Sequence, residues 1–165
     1  MSLPILFPYL DKRVDEMVKA GMVDEIREFF VPGADNTKGI RRAIGVPELD
    51  SYFETETKKG IDDGQKEEIL KEAIRKTKQN TFILAENQLS KIQNMADKLG
   101  SMINKINSTL VFEAILRGEN YQNLHQEIVI KPSMKMVKRF LDETSHGLRN
   151  AKYSNGNGKH VPNRV

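Results

Sequence analysis

Ile69-Leu70-Lys71-Glu72-Ala73-Ile74-Arg75-Lys76-Thr77-Lys78-Gln79-Asn80-Thr81 lies at the centre of the longest periodic run in the chain. Ile69, Leu70, Ala73, Ile74, Thr77 and Thr81 recur at helical spacings, and the pattern continues through Leu84, Ala85, Gln88, Leu89, Ile92, Met95, Ala96 and Leu99. Spacings of three and four place these residues along one face of an α-helix. After Gln65 no Pro or Gly interrupts the run before Gly100. At 1.5 Å per residue the helix is roughly 50 Å long. A single stripe of that length needs partners along it, and shorter helices are the candidates.

Those shorter helices are legible on both sides. Upstream, Leu6, Leu10, Val14, Met17 and Val18 share a face, with Asp11, Lys12, Asp15, Glu16 and Lys19 opposite. Pro8 suits a first turn and Gly21 a stop. A second helix over 23–30 ends at Pro32-Gly33-Ala34-Asp35-Asn36, and a third opens at Pro47 and runs from Val46 to Phe53. The apolar start, Leu3-Pro4-Ile5-Leu6-Phe7-Pro8, reads as the end of a buried strand. It is too short for a signal peptide and lacks a basic flank. Downstream, Ile103 to Ile106 reads as a short extended segment. Ser108 is placed as the N-cap of a helix from Thr109 to Arg117. Further helices are expected over 120–130 and from Pro132 onward. From Ser145 the composition turns to Gly, Asn, Lys and Ser, which predicts a disordered tail.

Composition narrows the chemistry. With 38% hydrophobic and only 7% aromatic residues, the 165-residue chain fits helical layers better than a strand-rich sandwich. No cysteine is present, which excludes disulfides, thiolate catalysis and Cys-ligated zinc. The net charge of +3 is uneven: residues 131–165 carry +6 and the remainder −3. The basic character therefore belongs to the C-terminal end, and a nucleic-acid surface on the folded body is not expected. No apolar run approaches the ~20 residues that span a bilayer, so no membrane partner is expected.

Candidate chemistry concentrates in two basic places. Gly39-Ile40-Arg41-Arg42-Ala43-Ile44-Gly45-Val46-Pro47-Glu48-Leu49 sets two arginines between glycines, where a guanidinium can meet an anion at close range and bind it bidentately. The plain alternative is a solvated loop. Arg75, Lys76 and Lys78, with Lys91 further on, could form an anion-facing patch on the long helix. The alternative is a solvated face balanced by Glu67, Glu68 and Glu72. His125, His146 and His160 stand far apart with no ligand spacing, so neither a metal site nor a catalytic residue is assigned. Asp11 and Asp15 read as early acids that complement a helix dipole. No phosphate-loop pattern G-x-x-x-x-G-K-[ST], no G-x-G-x-x-G and no nucleophile elbow is present.

Several blocks, taken in order, carry a resemblance. They are Leu3-Pro4-Ile5-Leu6, Arg13-Val14-Asp15-Glu16-Met17-Val18, Gly21-Met22-Val23-Asp24-Glu25, and the arginine segment Gly39 to Leu49. Lys78-Gln79-Asn80-Thr81, Leu84-Ala85, Gln88-Leu89, Lys91-Ile92, Pro132-Ser133 and Val137-Lys138-Arg139-Phe140-Leu141 follow. Together they resemble the plant-type adenylate isopentenyltransferases over most of residues 2–142. The block Arg41-Arg42-Ala43-Ile44-Gly45-Val46-Pro47-Glu48 is the specific one. It separates this branch from the tRNA dimethylallyltransferases, whose eukaryotic members carry a zinc finger that needs Cys. One departure is that Glu86-Asn87 stand where the family usually has a basic residue just before the Gln matching Gln88.

The resemblance implies transfer of a dimethylallyl group from dimethylallyl diphosphate to N6 of AMP, ADP or ATP, in cytokinin biosynthesis. It implies Mg²⁺ in the complete enzyme, a monomer, and a plastid or cytosolic compartment. It assigns diphosphate or nucleotide contacts to Arg42 first and Lys78 second, with Arg41 and Lys91 beside them. The family's phosphate loop and general-base Asp lie in its amino-terminal half, and neither motif stands in these 165 residues. The expected fold is therefore mostly α, a long helix packed by shorter ones, with strand remnants of a P-loop-type α/β core. Residues 1–63 would complete that core, 64–144 would form the long helix and a helical lid, and 145–165 the tail. The reading is of a carboxy-terminal half, inactive alone. Its rivals are a tRNA dimethylallyltransferase and a non-catalytic helical interaction module.

Overall fold

The structure, a computed structural model, describes residues 3–58 and 60–154. Seven α-helices are present among them: α1 (Leu3–Lys19), α2 (Met22–Glu28), α3 (Val46–Thr57), α4 (Asp63–Leu99), α5 (Thr109–Arg117), α6 (Gln122–His125) and α7 (Lys131–Ser154). A 3₁₀ turn occupies Gly39–Arg42 and a π-type turn Gln126–Ile130. No strand occurs among the described residues.

α4 is the spine. Asp62 caps it: its Oδ1 accepts from the Gln65 amide at 2.8 Å, and Gln65 Oε1 accepts from the Asp62 amide at 3.4 Å. This reciprocal arrangement satisfies two of the orphan donors at a helix start. α3 lies along the first part of α4 and α1 crosses its middle, with α5 packed on the far side of α1. The central core joins Met22 and Ile26 of α2, Val46, Leu49 and Phe53 of α3, and Ala73 of α4. Leu49 and Phe53 are almost wholly buried. A second seam uses aromatic pairs: Phe7 on Phe82 at 5.2 Å, and Tyr9 edge-on to Phe112 at 4.5 Å. Lys12 Nζ donates to the Ile115 carbonyl at 2.8 Å, tying α1 to the C-terminal end of α5.

The structure corrects some expectations and refines others. Leu3–Phe7 is the first turns of α1 and not a strand end. A helix satisfies its backbone groups internally, whereas a strand needs a neighbour to bond, and none of the described segments supplies one. Ile103 is extended, but 103–108 pairs with no ladder. Ser108 stands at the N-cap position as expected, but its side chain makes no cap; Asn107 Oδ1 accepts from the Thr109 amide at 3.1 Å instead. Pro132 does not start a separate helix. Helix continues from Gln122 to Ser154 through the π-type turn. The proline ring crowds the carbonyl four residues back and removes one donor, and a widened turn accommodates both. Of the tail expected to be disordered, residues 145–154 are helical, continuing α7, and the rest falls outside the described residues.

Candidate functional site

The two arginines sit in a tight turn. Gly39 and Gly45 bracket it with φ of 58° and 100°, both in the left-handed region that favours glycine. Inside it, Ala43 donates to the Ile40 carbonyl at 2.9 Å and Val46 to the Ala43 carbonyl at 3.1 Å. Arg41 is half-buried and Arg42 exposed. Among the described residues neither arginine has a carboxylate partner. A Cβ at Gly45 would stand 3.6 Å from Ile26 Cδ1 and Met22 Sδ, so this end of the turn rests on the core. Gly39 has open space around it.

Glu48 fixes the turn to the spine. One carboxylate oxygen accepts from the Gly45 amide at 2.8 Å, and the other from Asn80 Nδ2 at 2.6 Å. Two blocks thirty residues apart in sequence therefore meet through one side chain. The sequence reading placed Glu48 in its specific block and Asn80 in another block that carries the resemblance, but gave neither a role. Their pairing has no local signature, because it depends on how α3 lies on α4. The adjoining groove between α3 and α4 is lined by Glu48, Glu68, Glu72 and Lys76, an acid excess that disfavours an anion there. A ligand phosphate is better met from the arginine side.

Lys78 occupies a different environment from a free anion ligand. It is half-buried and pairs with Asp15 at 2.8 Å and Asp11 at 3.0 Å, both on α1. Burial pulls its pKa down, but the hydrogen bonds to Asp15 and Asp11 outweigh that and leave it raised. Asp11 and Asp15 are therefore mid-helix partners of Lys78, not first-turn acids, since α1 begins at Leu3. Arg75 and Lys76 both pair with Glu72, in keeping with a solvated helix face. Lys91 lies thirteen residues beyond Lys78, about 20 Å along the helix. It lines an apolar depression with Asn94, Met95, Lys98 and Leu99. The turn and Lys78 thus share one stretch of α4, and Lys91 stands apart.

Arg27 escaped the sequence reading. It donates to Glu56 at 3.1 and 3.2 Å, pairs closely with Asp24, and lies 5.5 Å from the centre of the Phe53 ring. Its hydrogen bonds, first to Glu56 and then to Asp24, raise its pKa further above the ordinary arginine value. Its role is to lock α2 against α3. As for metals, no group of three or more His, Asp or Glu stands close enough to hold an ion among the described residues. Asp11 and Asp15 share Lys78 as their cation, as Asp24 and Glu56 share Arg27.

Comparison with known proteins meets this geometry at the same segments. Residues 3–95 match the IPP transferase family, a span that includes the arginine turn, Glu48, Lys78 and Asn80. This chain belongs to the IPP transferase family. Among curated IPP transferase relatives, adenylate isopentenyltransferase 7, mitochondrial, of Arabidopsis thaliana is 37% identical, with 100% of this chain and 51% of the relative aligned. Adenylate isopentenyltransferase 5, chloroplastic, of the same plant is 39% identical over 86% of this chain and 42% of its own. The adenylate isopentenyltransferase of Humulus lupulus is 36% identical over 87% and 48%. The chain spans about half the length of the curated relatives it matches.

Proposed function

We propose that this IPP transferase chain carries the diphosphate grip of an adenylate isopentenyltransferase. That enzyme moves a dimethylallyl group from dimethylallyl diphosphate to N6 of AMP, ADP or ATP, in cytokinin biosynthesis. The observation behind the reading is the turn at Gly39–Gly45. It offers two guanidinium groups that no carboxylate neutralises among the described residues, anchored through Glu48 to the helix that carries Lys78. The names of the relatives supply the acceptor and the donor class.

The chemistry fits those residues. Breaking the allylic C–O bond leaves negative charge on the departing diphosphate. Fixed cations aimed at that charge stabilise the transition state more than the ground state. Arg42 is the primary contact, with Arg41 beside it. Lys78 can contribute only by releasing Asp11 and Asp15, and Lys91 only at a more distant part of the nucleotide. The attacking amine must lose a proton, and no residue here is assigned to take it. These residues hold no phosphate loop, so we expect them to form no product by themselves. The proposed compartment is the plastid, with the cytosol as the other.

The test is a chimera in which this chain replaces the aligned segment of the hop relative. It is assayed with dimethylallyl diphosphate, Mg²⁺ and each adenine nucleotide. The chimera should make N6-prenylated nucleotide and the isolated chain none. Arg42→Ala in the chimera should lower kcat/KM by roughly 10²-fold, the usual cost of one transition-state donor. A folded but inactive chimera, or an Arg42→Ala chimera with unchanged kcat/KM, sinks the reading. Prenylated tRNA in place of nucleotide would move the chain to the tRNA-modifying branch.

A further inference from the structure

Three acids lie in the stretch from Val31 to Ser51 that holds the arginine turn: Asp35, Glu48 and Asp50. A carboxylate and a guanidinium bind each other more strongly than either binds a neutral group. Yet among the described residues each of these acids is held by another donor. Asp35 accepts from the Thr37 amide at 2.9 Å and the Thr37 hydroxyl at 2.6 Å, and pairs with Lys38 at 3.8 Å. Asp50 accepts from Asn36 Nδ2. Glu48 has one oxygen on the Gly45 amide and the other on Asn80 Nδ2.

Glu48 is the acid bonded into the turn itself. Its Gly45 partner stands three residues after Arg42. That bond is local and caps α3. The bond from Asn80 differs in kind, since it spans 32 residues of chain and comes from an exposed side chain on α4. Water would satisfy the same oxygen if solvation were all that it needed. What Asn80 adds is direction. One hydrogen bond and one exposed ion pair are of similar strength, each shifting an equilibrium by roughly fivefold. A single amide is therefore enough to decide where this carboxylate points.

We propose that Asn80 is a positioning residue for the arginine turn. It clips the Glu48 carboxylate to α4 and so keeps Arg41 and Arg42 unneutralised for a multiply charged anion. Without the clip, the freed oxygen turns to a guanidinium, and an incoming anion must displace it. The inference rests on the reading of this turn as a diphosphate grip. It adds that the charge of the grip is set from the long helix, by a residue that touches no ligand.

The test sets loss against rescue. The full chain, Asn80→Ala, and Asn80→Ala combined with Glu48→Gln are titrated with inorganic diphosphate by calorimetry. The guanidinium Nε–H signals of Arg41 and Arg42 are followed by NMR, assigned through Arg41→Lys and Arg42→Lys, and circular dichroism checks that each variant is folded. Asn80→Ala should weaken diphosphate binding by about fivefold, the scale of one exposed ion pair, and should move one of the two guanidinium signals. Glu48→Gln keeps an oxygen for the Gly45 amide and removes the charge. Adding it should restore the affinity to within about twofold of wild type and return the signal to its place. A merely structural role for Asn80 gives the opposite, because a second change at the same contact then brings no recovery. A fall in affinity without a moved signal overturns the proposal, as does a fall that Glu48→Gln does not restore, or no change in either reading. If the wild-type chain takes up no diphosphate, the grip proposed above falls. The guanidinium signals then decide the clip alone: a Glu48-dependent movement upholds it, and none overturns it.

Discussion

The two halves of α4 carry the same periodic stripe and meet different fates. From Asp63 to Thr81 the stripe is covered: Ala73 and Thr77 are 3% and 1% exposed beneath α3 and α1. Every lysine or arginine of that half is paired, Lys66 to Asp63, Lys71 to Glu67 and Glu68, Arg75 and Lys76 to Glu72, and Lys78 to Asp11 and Asp15. From Ile83 to Leu99 the helix is mostly open, with Ala85 and Leu89 of the stripe half-buried. Ile83, Leu84, Ile92, Met95 and Leu99 are exposed, Ala96 is the one buried residue, and Lys91 and Lys98 form no ion pair among the described residues. Helical period reports that a face exists. It does not report what lies against it.

The comparison can be broken by substitution. The largest expected effect is at the covered end. Phe53→Ala removes a wholly buried ring beneath the first half and should cost about 3–5 kcal/mol. Ile92→Ala on the open half should cost less than ~1 kcal/mol, since little is excluded from water there. Urea denaturation monitored by circular dichroism reads both. Equal losses would mean that the two halves are packed alike.

Lys78→Met comes next. It leaves Asp11 and Asp15 facing each other without their cation, and should destabilise by about 1–2 kcal/mol after screening at the half-exposed acids is allowed for. Because the lysine pKa is raised in the folded chain, its contribution is complete below the unfolded value. It is lost only as pH rises through the higher folded one. The gap between wild type and Lys78→Met should therefore stay flat through neutral pH and close only above about 10.4, the ordinary lysine value. A gap that closes near neutrality would contradict the paired lysine.

Glu48→Ala should cost about 1 kcal/mol through the lost cap. More tellingly, it should speed hydrogen exchange at the Gly45 amide, and Asn80→Ala should do so to a smaller extent. Unchanged exchange in both would free the arginine turn from the spine. The smallest effect is expected from Lys91→Ala, which should leave the denaturation midpoint where it is.

These contrasts also explain what could be read from the chain beforehand. The long helix and the Thr109–Arg117 helix were legible because period and punctuation are local. So was the arginine segment as a place of interest, since glycines and paired arginines stand together in sequence. Lys78 was legible as a cation and not as a member of a triad, because its partners are 63 and 67 residues upstream and nothing in the spacing joins them. Glu48 and Asn80 stayed silent for the same reason. Leu3–Phe7 was misread because a short apolar run is equally at home in a strand or a buried helix, and only its neighbours decide. At Ser108 the choice between two adjacent capping residues lay below the resolution of pattern reading.

The unequal surroundings of Gly39 and Gly45 have a consequence for anyone who would alter the arginine turn. A Cβ at Gly39 would meet open space, whereas one at Gly45 would touch Ile26 and Met22. Both glycines hold a left-handed φ, so a side chain at either strains the backbone. At Gly45 it would also press on the protein interior, so that backbone strain and core crowding would arrive together. At Gly39 the penalty would be confined to the backbone twist.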